Sequence, residues 1–320
     1  MRIVSLSYPV SAEIAKEAAE PKVAAIGQFD GLHQGHASVL TTAINIAREN
    51  GVPAALITFY PHPKDVIGKG NYEGYLTPQP DKQRLLEEMG IDILYIVEFN
   101  KEFSQISPDT FVEEMLFPLN LQTAVVGFDF RFGHKGAGDA AELQKLGDGK
   151  MSVVTVPPFL VDGEKVGSSA IRIALKTGKL SDANRWFGRN YHIRGSVIHG
   201  EKRGRKIGFP TANLELTDPY VVPALGVYAV RARMDHQDNW IPGVMNVGVK
   251  PTFHEGITKP IFEVHLFDYD GDLYNQFMTV DLVQYIRKEH KFESVQELVE
   301  WIQRDADEAR KILNASESKF

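Results

Sequence analysis

The stretch Val23-Ala24-Ala25-Ile26-Gly27-Gln28-Phe29-Asp30-Gly31-Leu32-His33-Gln34-Gly35-His36 decides how the rest of the chain is read. Val23 to Ile26 is a short apolar run of the kind that forms a buried strand, and Gly27 and Gly31 open a turn. From near His36 the apolar residues Val39, Leu40, Ala43, Ile44 and Ala47 recur at helical spacing. His33 and His36 therefore fall just before and at a helix N-terminus. Such an end presents unpaired backbone N–H groups and a positive dipole, and Gly35 leaves the backbone open to a ligand, so a phosphate is the natural guest. Two imidazoles there can donate hydrogen bonds to phosphoryl oxygens. A His-x-x-His pair can also be half of a zinc site, but zinc would need further ligands and the chain has no cysteine.

Outward from this unit, strands and helices alternate. Strands are predicted at Ala54 to Phe59, Ile93 to Phe99, Thr123 to Gly127 and Val153 to Val156. Between them lie helices from about Pro78 to Met89 closed by Gly90, from Ser107-Pro108, and around Ala140 to Leu146. Short apolar strands joined by helical crossovers imply a doubly wound, Rossmann-like parallel sheet covered on both faces, an α/β domain. Ligands of such sheets bind beyond the carboxyl ends of the strands, where the histidine turn falls. Three more loops are expected at that edge. Thr58-Phe59-Tyr60-Pro61-His62-Pro63 can bring His62 toward the histidine pair. Val126-Gly127-Phe128-Asp129-Phe130-Arg131-Phe132-Gly133 combines aromatics with a carboxylate and a cation, although aromatics spaced by two are also what plain strand packing produces. Val166-Gly167-Ser168-Ser169-Ala170-Ile171-Arg172 places a capping serine at a helix start and a guanidinium just after it, which can hold phosphate oxygens as a fork.

Composition narrows the class of partner. At 320 residues, 43% hydrophobic and 24% charged, the chain has room for two ordinary domains. A net charge of −7 argues against a general nucleic-acid binder. The lack of cysteine excludes disulfides, thiolate catalysis and cysteine-ligated metal. No apolar run approaches the roughly 20 residues that span a bilayer, and the segment after Tyr8 is acidic and Ala-rich rather than a signal-peptide core, so a cytoplasmic enzyme without membrane partners is expected.

After Gly188 the texture changes to β-rich segments with turn residues: Tyr191 to Ile198, Thr211 to Leu216, Gly226 to Met234, Trp240 to Val249, Pro260 to Phe267 and Met278 to Arg287. Strands at that spacing without intervening helices predict a small closed β-barrel, with a final helix from Val295 to about Leu313 whose stripe Leu298, Val299, Ile302, Ala306 and Ala309 packs on it. The expected division is therefore 1–187 and 188–320. His199 to Asn213 is glycine-rich and basic, with four cations in the seven residues from Gly200. It could be a solvated hairpin or an RNA contact as well as a phosphate loop. Thr211 and Asn213 lie two apart on a strand, so both face one side, where their oxygens could reach a Mg²⁺ carried by a triphosphate. In Pro260 to Phe267, alternation sets Glu263 and His265 opposite Phe262, Val264 and Leu266, on the face away from the core.

The His33-x-Gly35-His36 segment resembles the signature of nucleotidyltransferases that transfer AMP or CMP to an anionic acceptor. Gly27-x-Phe29-Asp30-Gly31, the Pro61-His62-Pro63 loop, Gly127 to Gly133 and Ser168-Ser169-x-Ile171-Arg172 follow in the order found in bacterial bifunctional riboflavin kinase/FMN adenylyltransferases. The second half continues the likeness, in Gly204-Arg205-x-x-Gly208-Phe209-Pro210-Thr211-Ala212-Asn213-Leu214, Gly226-Val227-Tyr228-Ala229, Asn246-Val247-Gly248 before Pro251-Thr252-Phe253, Glu263-Val264-His265 and Arg287-x-Glu289-x-x-Phe292. The resemblance covers nearly the whole chain.

It implies that Gly27, Phe29, Asp30, His33, His36, Ser168, Ser169 and Arg172 hold the ATP of an adenylyltransferase, with His33 and His36 catalytic, and that His62, Asp129 and Arg131 hold its FMN. It further implies that Gly204, Lys206, Gly208, Thr211 and Asn213 hold the ATP of a kinase, that Thr211 and Asn213 bind Mg²⁺, that Glu263 is the base, and that Arg287 lies near the flavin. Riboflavin, FMN and ATP would be substrates, and FMN, FAD, ADP and pyrophosphate products. Four positions depart from the family pattern: Gln28 for Asn, Gly167 and Ser169 for Ser and Thr, and Asn275 for a Gly, where a changed turn is expected. Two rival readings are an adenylyltransferase with another acceptor and a flavin-sensing or RNA-binding regulator.

Overall fold

The computed structural model describes residues 1–68, 73–200, 204, 207–251 and 258–317. Lys206, together with Lys202, Arg203, Arg205, Thr252 and Phe253, lies outside the described residues. Packing divides the chain into two compact units, residues 1–72 with 77–167, and residues 73–76 with 168–320.

The first unit is a six-stranded parallel sheet of β1 (Arg2–Leu6), β2 (Lys22–Ile26), β3 (Ala54–Tyr60), β4 (Ile93–Glu98), β5 (Leu121–Gly127) and β6 (Ser152–Val156), in the order β1-β4-β3-β2-β5-β6. Its helices include α1 (Ala12–Glu17), α2 (Gln34–Asn50), a short α3 (Pro63–Val66), α4 (Gln79–Met89), α5 (Pro108–Phe111) running into a π-helical turn at Val112–Leu116, and α6 (Ala140–Leu146). The central strands β2, β3, β4 and β5 carry mostly apolar, buried runs because both faces of the sheet are covered there. Ala24, Ile26, Ala55, Ile57, Ala124 and Val126 pack with Phe103, Phe111 and Met115 on one face. Val23, Ala25, Leu56, Leu94 and Val125 pack with Val39, Leu40 and Ala43 of α2 and Leu86 of α4 on the other. The chain leaves β2 in one direction through β3 and β4 and returns to its other side as β5, so the strand order reverses between β2 and β5, the place where such sheets take ligands. A small hairpin, β7 (Leu160–Val161) with β8 (Glu164–Lys165), follows β6.

Strand β1 and the small hairpin are additions to the sequence expectation. β1 is an edge strand whose residues alternate poorly between core and solvent, and only its parallel pairing with β4 makes it a strand.

The second unit is a closed six-stranded antiparallel barrel, as expected, made of β9 (Tyr191–Ile198), β10 (Ala212–Leu216), β11 (Gly226–Met234), β12 (Ile241–Pro251), β13 (Thr258–Leu266) and β14 (Phe277–Arg287) in the order β10-β13-β12-β11-β14-β9. Helices α7 (Ser168–Lys176) and α8 (Leu180–Phe187) pack with it, twenty residues before the texture change at Gly188. The reason is the apolar stripe of α8: Leu180, Ala183, Trp186 and Phe187 are buried, Asn184 Nδ2 donates to Leu282 O at 2.9 Å, and Tyr191 N donates to Asn184 Oδ1 at 2.8 Å. The short segment 73–76 joins the same unit, with Tyr75 N donating to Pro219 O at 2.6 Å and Val221 N to Tyr75 O at 3.0 Å. The last helix, α9 (Val295–Glu317), lays Ala306, Ala309 and Leu313 over Val227, Ala229, Val244 and Phe267 on the outside of the barrel. Asn275 has φ +62°, the left-handed conformation a glycine would supply, and its N donates to Val197 O at 2.9 Å. The expected change of turn is therefore not required, because Asn tolerates that conformation better than most residues. No helix among the described residues is long and apolar enough to cross a membrane.

Candidate functional sites

In the first unit α2 begins at Gln34, two residues earlier than expected, which makes His33 its N-cap. His33 Nδ1 accepts from His36 N at 3.2 Å, so the first imidazole satisfies one of the orphan donors of the helix end. The two rings stack at 3.7 Å with 15° between planes, and Phe29 backs His36 at 5.0 Å. His33 is 4% exposed and His36 half-buried. Gly35 packs so closely that a Cβ would stand 3.2 Å from the His33 ring.

Phe29 and Asp30, expected to hold ATP, are buried, at 3% exposure each. Phe29 belongs to the core beneath α2, and Asp30 Oδ1 accepts from Thr77 N at 3.2 Å. Their place is under the turn. Gln28 donates its side-chain Nε2 to Phe59 O at 3.2 Å, while its backbone carbonyl accepts from Thr58 Oγ1 and Lys82 Nζ.

His62 caps α3, its Nδ1 accepting from Lys64 N at 3.1 Å. The residues after β5 form a turn rather than a strand, and its aromatics divide their work. Phe132 is buried against Phe111, whereas Phe128 is 43% exposed with Lys165 Nζ 4.4 Å above its ring. Asp129 pairs with Lys165 at 2.8 Å and Arg131 with Asp139 at 3.5 Å, both at the surface. Ser168 and Ser169 open α7, and Arg172 sits in its second turn, with Nη1 donating to Gly74 O at 2.7 Å. A Cβ at Gly167 would meet nothing within 4 Å among the described residues, so packing does not demand glycine there.

In the barrel three of the expected residues, Asn213, Glu263 and Arg287, fall on one line. Register pairs Asn213 with Glu263, Glu263 with Asn246, Asn246 with Val227 and Val227 with Arg287, a row across β10, β13, β12, β11 and β14. Phe262 and Val264 are buried while Glu263 and His265 are half-exposed, so the row faces outward as the alternation predicts. Thr211, just ahead of β10, is exposed, and His265 Nδ1 lies 2.7 Å from Pro210 O, which fastens the loop before Thr211 to β13. Gly200 and Gly248 are explained by close approach. A Cβ at Gly200 would overlap the Asn213 amide, and one at Gly248 would stand 2.6 Å from Glu289 Oε1 and 3.2 Å from Asn246 Nδ2. Gly204 lies against Phe209 and Thr211, and Gly208 has φ +85°.

Arg287 is held more firmly than its expected role implies. Nε and Nη2 donate to the two carboxylate oxygens of Asp305 at 2.8 and 2.6 Å, Nη1 donates to Lys288 O at 3.0 Å, and the guanidinium lies 4.9 Å over Trp301. Asp305 is 4% exposed. The sequence assigns no role to Asn246, Glu289, Asp305 or Lys82. Asn246 and Glu289 stand within the family-like motifs, but the place of Asn246 beside Glu263 shows only through register, and that of Glu289 through its approach to Gly248.

Comparison with known proteins finds a separate family in each half of the chain. The FAD synthetase family model matches residues 15–170, and the Riboflavin kinase family model matches residues 187–313. A Bacillus subtilis (strain 168) protein named bifunctional riboflavin kinase/FMN adenylyltransferase is 40% identical over 97% of this chain and 97% of its own length. The Escherichia coli (strain K12) protein of the same name is 36% identical, with 90% and 91% covered. A crystal structure of a Streptococcus pneumoniae protein, named a macrolide-efflux protein, superposes with a TM-score of 0.85 at 29% identity, covering 97% of this chain and 99% of that one. Two family matches in tandem and full-length relatives of one name lead to one conclusion: the chain belongs to the family of bifunctional riboflavin kinase/FMN adenylyltransferases.

Proposed function

We propose that the barrel half phosphorylates riboflavin to FMN and that the parallel-sheet half adenylylates FMN to FAD, ATP being the co-substrate of both. The observation that carries this reading is the outward row Asn213–Glu263–Asn246, a carboxylate set between two carboxamides on a barrel that a riboflavin kinase model matches. The functional division is proposed at 187/188, with α7 and α8 serving as packing for the barrel. A cytoplasmic location belongs to the same proposal.

The two acceptors ask for different chemistry. Riboflavin offers a neutral 5′-hydroxyl. As its oxygen bonds to the γ-phosphorus of ATP and the bond to the β,γ-bridging oxygen breaks, Glu263 accepts the hydroxyl proton and ADP leaves. Thr211 and Asn213 provide a hydroxyl and a carboxamide oxygen on the same side as Glu263, a hard-oxygen set that fits Mg²⁺ held mainly by substrate phosphates. When bound, that ion would neutralise charge on the transferring phosphoryl group.

FMN brings a phosphate that is already anionic and needs no base. Its oxygen bonds to the α-phosphorus of ATP, the bond to the α,β-bridging oxygen breaks, and pyrophosphate leaves. The stacked His33 and His36 at the N-terminus of α2 offer donors and a positive dipole to the charge that develops there. Ser168, Ser169 and Arg172 are proposed for the triphosphate, and Asp129, Arg131 and His62 for FMN. Phe29 and Asp30 support the turn from beneath.

Incubation with riboflavin, ATP and Mg²⁺, with products separated by chromatography, tests the reading. FMN, FAD, ADP and pyrophosphate are expected. FAD formation from added FMN without any phosphorylation of riboflavin would overturn the kinase half, and phosphorylation without FAD would overturn the other. An acceptor other than FMN would leave the barrel without a task.

A further inference from the structure

Lys82 is a charge in an unexpected place. It belongs to α4, is 1% exposed, and directs Nζ to the Gln28 carbonyl at 3.0 Å. That same carbonyl accepts from Thr58 Oγ1 at 2.9 Å. Burial pulls the ammonium pKa down to about 8, and the charge of buried Asp30 opposes the fall. An ammonium that has lost its hydration is costly, and a methionine would fill the space without that cost, so packing does not account for lysine here.

What the lysine holds is the turn that builds the histidine site. Phe29 has φ +48°, Gly31 +101° and Leu32 +41°. Two non-glycine residues in left-handed conformations within four positions persist only where their surroundings impose them. Gln28 immediately precedes the first of them. The Phe29 ring then lies 5.0 Å from His36, and His36 lies 3.7 Å from His33. The Gln28 carbonyl is thus one residue away from the ring that backs His36, on which His33 stacks.

We propose that Lys82 is a positioning residue for adenylyl transfer: through the Gln28 backbone carbonyl it fixes the left-handed turn that aims His33 and His36. This rests on the reading of the histidine turn as the adenylylation site. Being buried, Lys82 acts through the turn and not by touching ATP or FMN. Because misplacement by about 1 Å can cost about 100-fold in rate, the effect belongs in turnover rather than in substrate affinity.

The test is steady-state kinetics of both half-reactions for Lys82→Met, with Lys22→Met and His36→Ala alongside. Lys22 is the matched control, a buried lysine whose Nζ donates to three carbonyls, of Ala18, Glu20 and Leu119, at the opposite end of β2 from the turn. Lys82→Met should lower kcat for FMN to FAD by roughly 10- to 100-fold with KM for ATP and FMN within threefold, and leave riboflavin phosphorylation unchanged. Lys22→Met should lower thermal stability without that loss of kcat. A Lys82→Met enzyme within threefold of the parent kcat, or one that loses no more kcat than Lys22→Met, overturns the proposal. If Lys82→Met does not fold, Thr58→Val removes the other donor to the Gln28 carbonyl and should lower the same kcat by several-fold, an unchanged value counting against the idea. If His36→Ala makes FAD normally, the site reading fails and the proposal with it; if His36→Ala is impaired and Lys82→Met is not, only the proposal falls.

Discussion

Glu263 on β13 and Asn213 on β10 are direct partners in the antiparallel ladder, with Asn246 of β12 completing the row on the other side of Glu263. A carboxylate and a carboxamide are thereby fixed side by side on rigid strands, facing away from the barrel core, while the residues beside them on the same strands, Phe262, Val264, Ala212 and Leu214, are buried. In the proposed kinase, that relationship sets the proposed proton acceptor one strand spacing, about 5 Å, from the proposed phosphate-side ligand.

Replacing Glu263 with Gln keeps the packing and removes the proposed proton acceptor. FMN formation should fall by roughly 10² to 10⁴, the usual worth of general base catalysis, while added FMN becomes FAD at the parent rate. Steady-state kinetics with each flavin as starting material provides the measurement, and phosphorylation within a few-fold of normal would sink the assignment. Thr211→Ala should also spare FAD formation, but part of its loss should appear as a higher KM for Mg-ATP.

His36→Ala should do the reverse. Loss of one donor to a developing oxyanion costs on the order of 10² to 10³ in rate, so FAD formation falls by about that factor and riboflavin phosphorylation stays intact. Equal loss of both activities, measured in the same preparation, would deny the parallel-sheet half a site of its own.

The packing of α8 sets the limits of an independent kinase fragment. Residues 168–320 keep Leu180, Ala183, Trp186 and Phe187 against the barrel, whereas residues 188–320 lose them and expose the faces of β9 and β14 beneath. Losing buried side chains of this size costs several kcal/mol, at roughly 25 cal/mol per Å² of apolar surface. The longer fragment should be soluble and make FMN but not FAD; the shorter should melt at least 10 °C lower or aggregate, on the order expected for a few kcal/mol in a domain of this size. Equal melting temperatures in differential scanning fluorimetry would show α8 to be dispensable.

Asp305→Ala should weaken the barrel unit by about 3–5 kcal/mol, because it leaves the Arg287 guanidinium facing a buried site without its carboxylate. Urea unfolding measures this directly. Arg287→Met together with Asp305→Leu should recover most of the loss, since replacing both partners removes the uncompensated charge. Failure of the double variant to recover would mean that the pair contributes more than mutual compensation.

Much of this architecture is legible in the sequence alone, and the reason is local. Val23 to Ile26, the glycines after it and the apolar stripe of α2 carry their periods within a few residues, and so do the alternating strands of the barrel, which is why these elements fall within one or two positions of expectation. The outward aim of Glu263 follows from period-two geometry alone. Edge strand β1, by contrast, has no pattern of its own and exists because β4 offers it hydrogen bonds. The row that aligns Arg287, Asn246, Glu263 and Asn213 depends on how five strands slide past one another, a register set by packing over the whole barrel. The burial of Phe29, Asp30 and Lys82 beneath the histidine turn, the hold of Asp305 on Arg287, and the attachment of α8 to the barrel all join residues from 18 to about 100 positions apart. Short-range periodicity reports which face a side chain takes, but which distant group meets it there is settled when the chain closes its long-range contacts and each buried charge must find its partner.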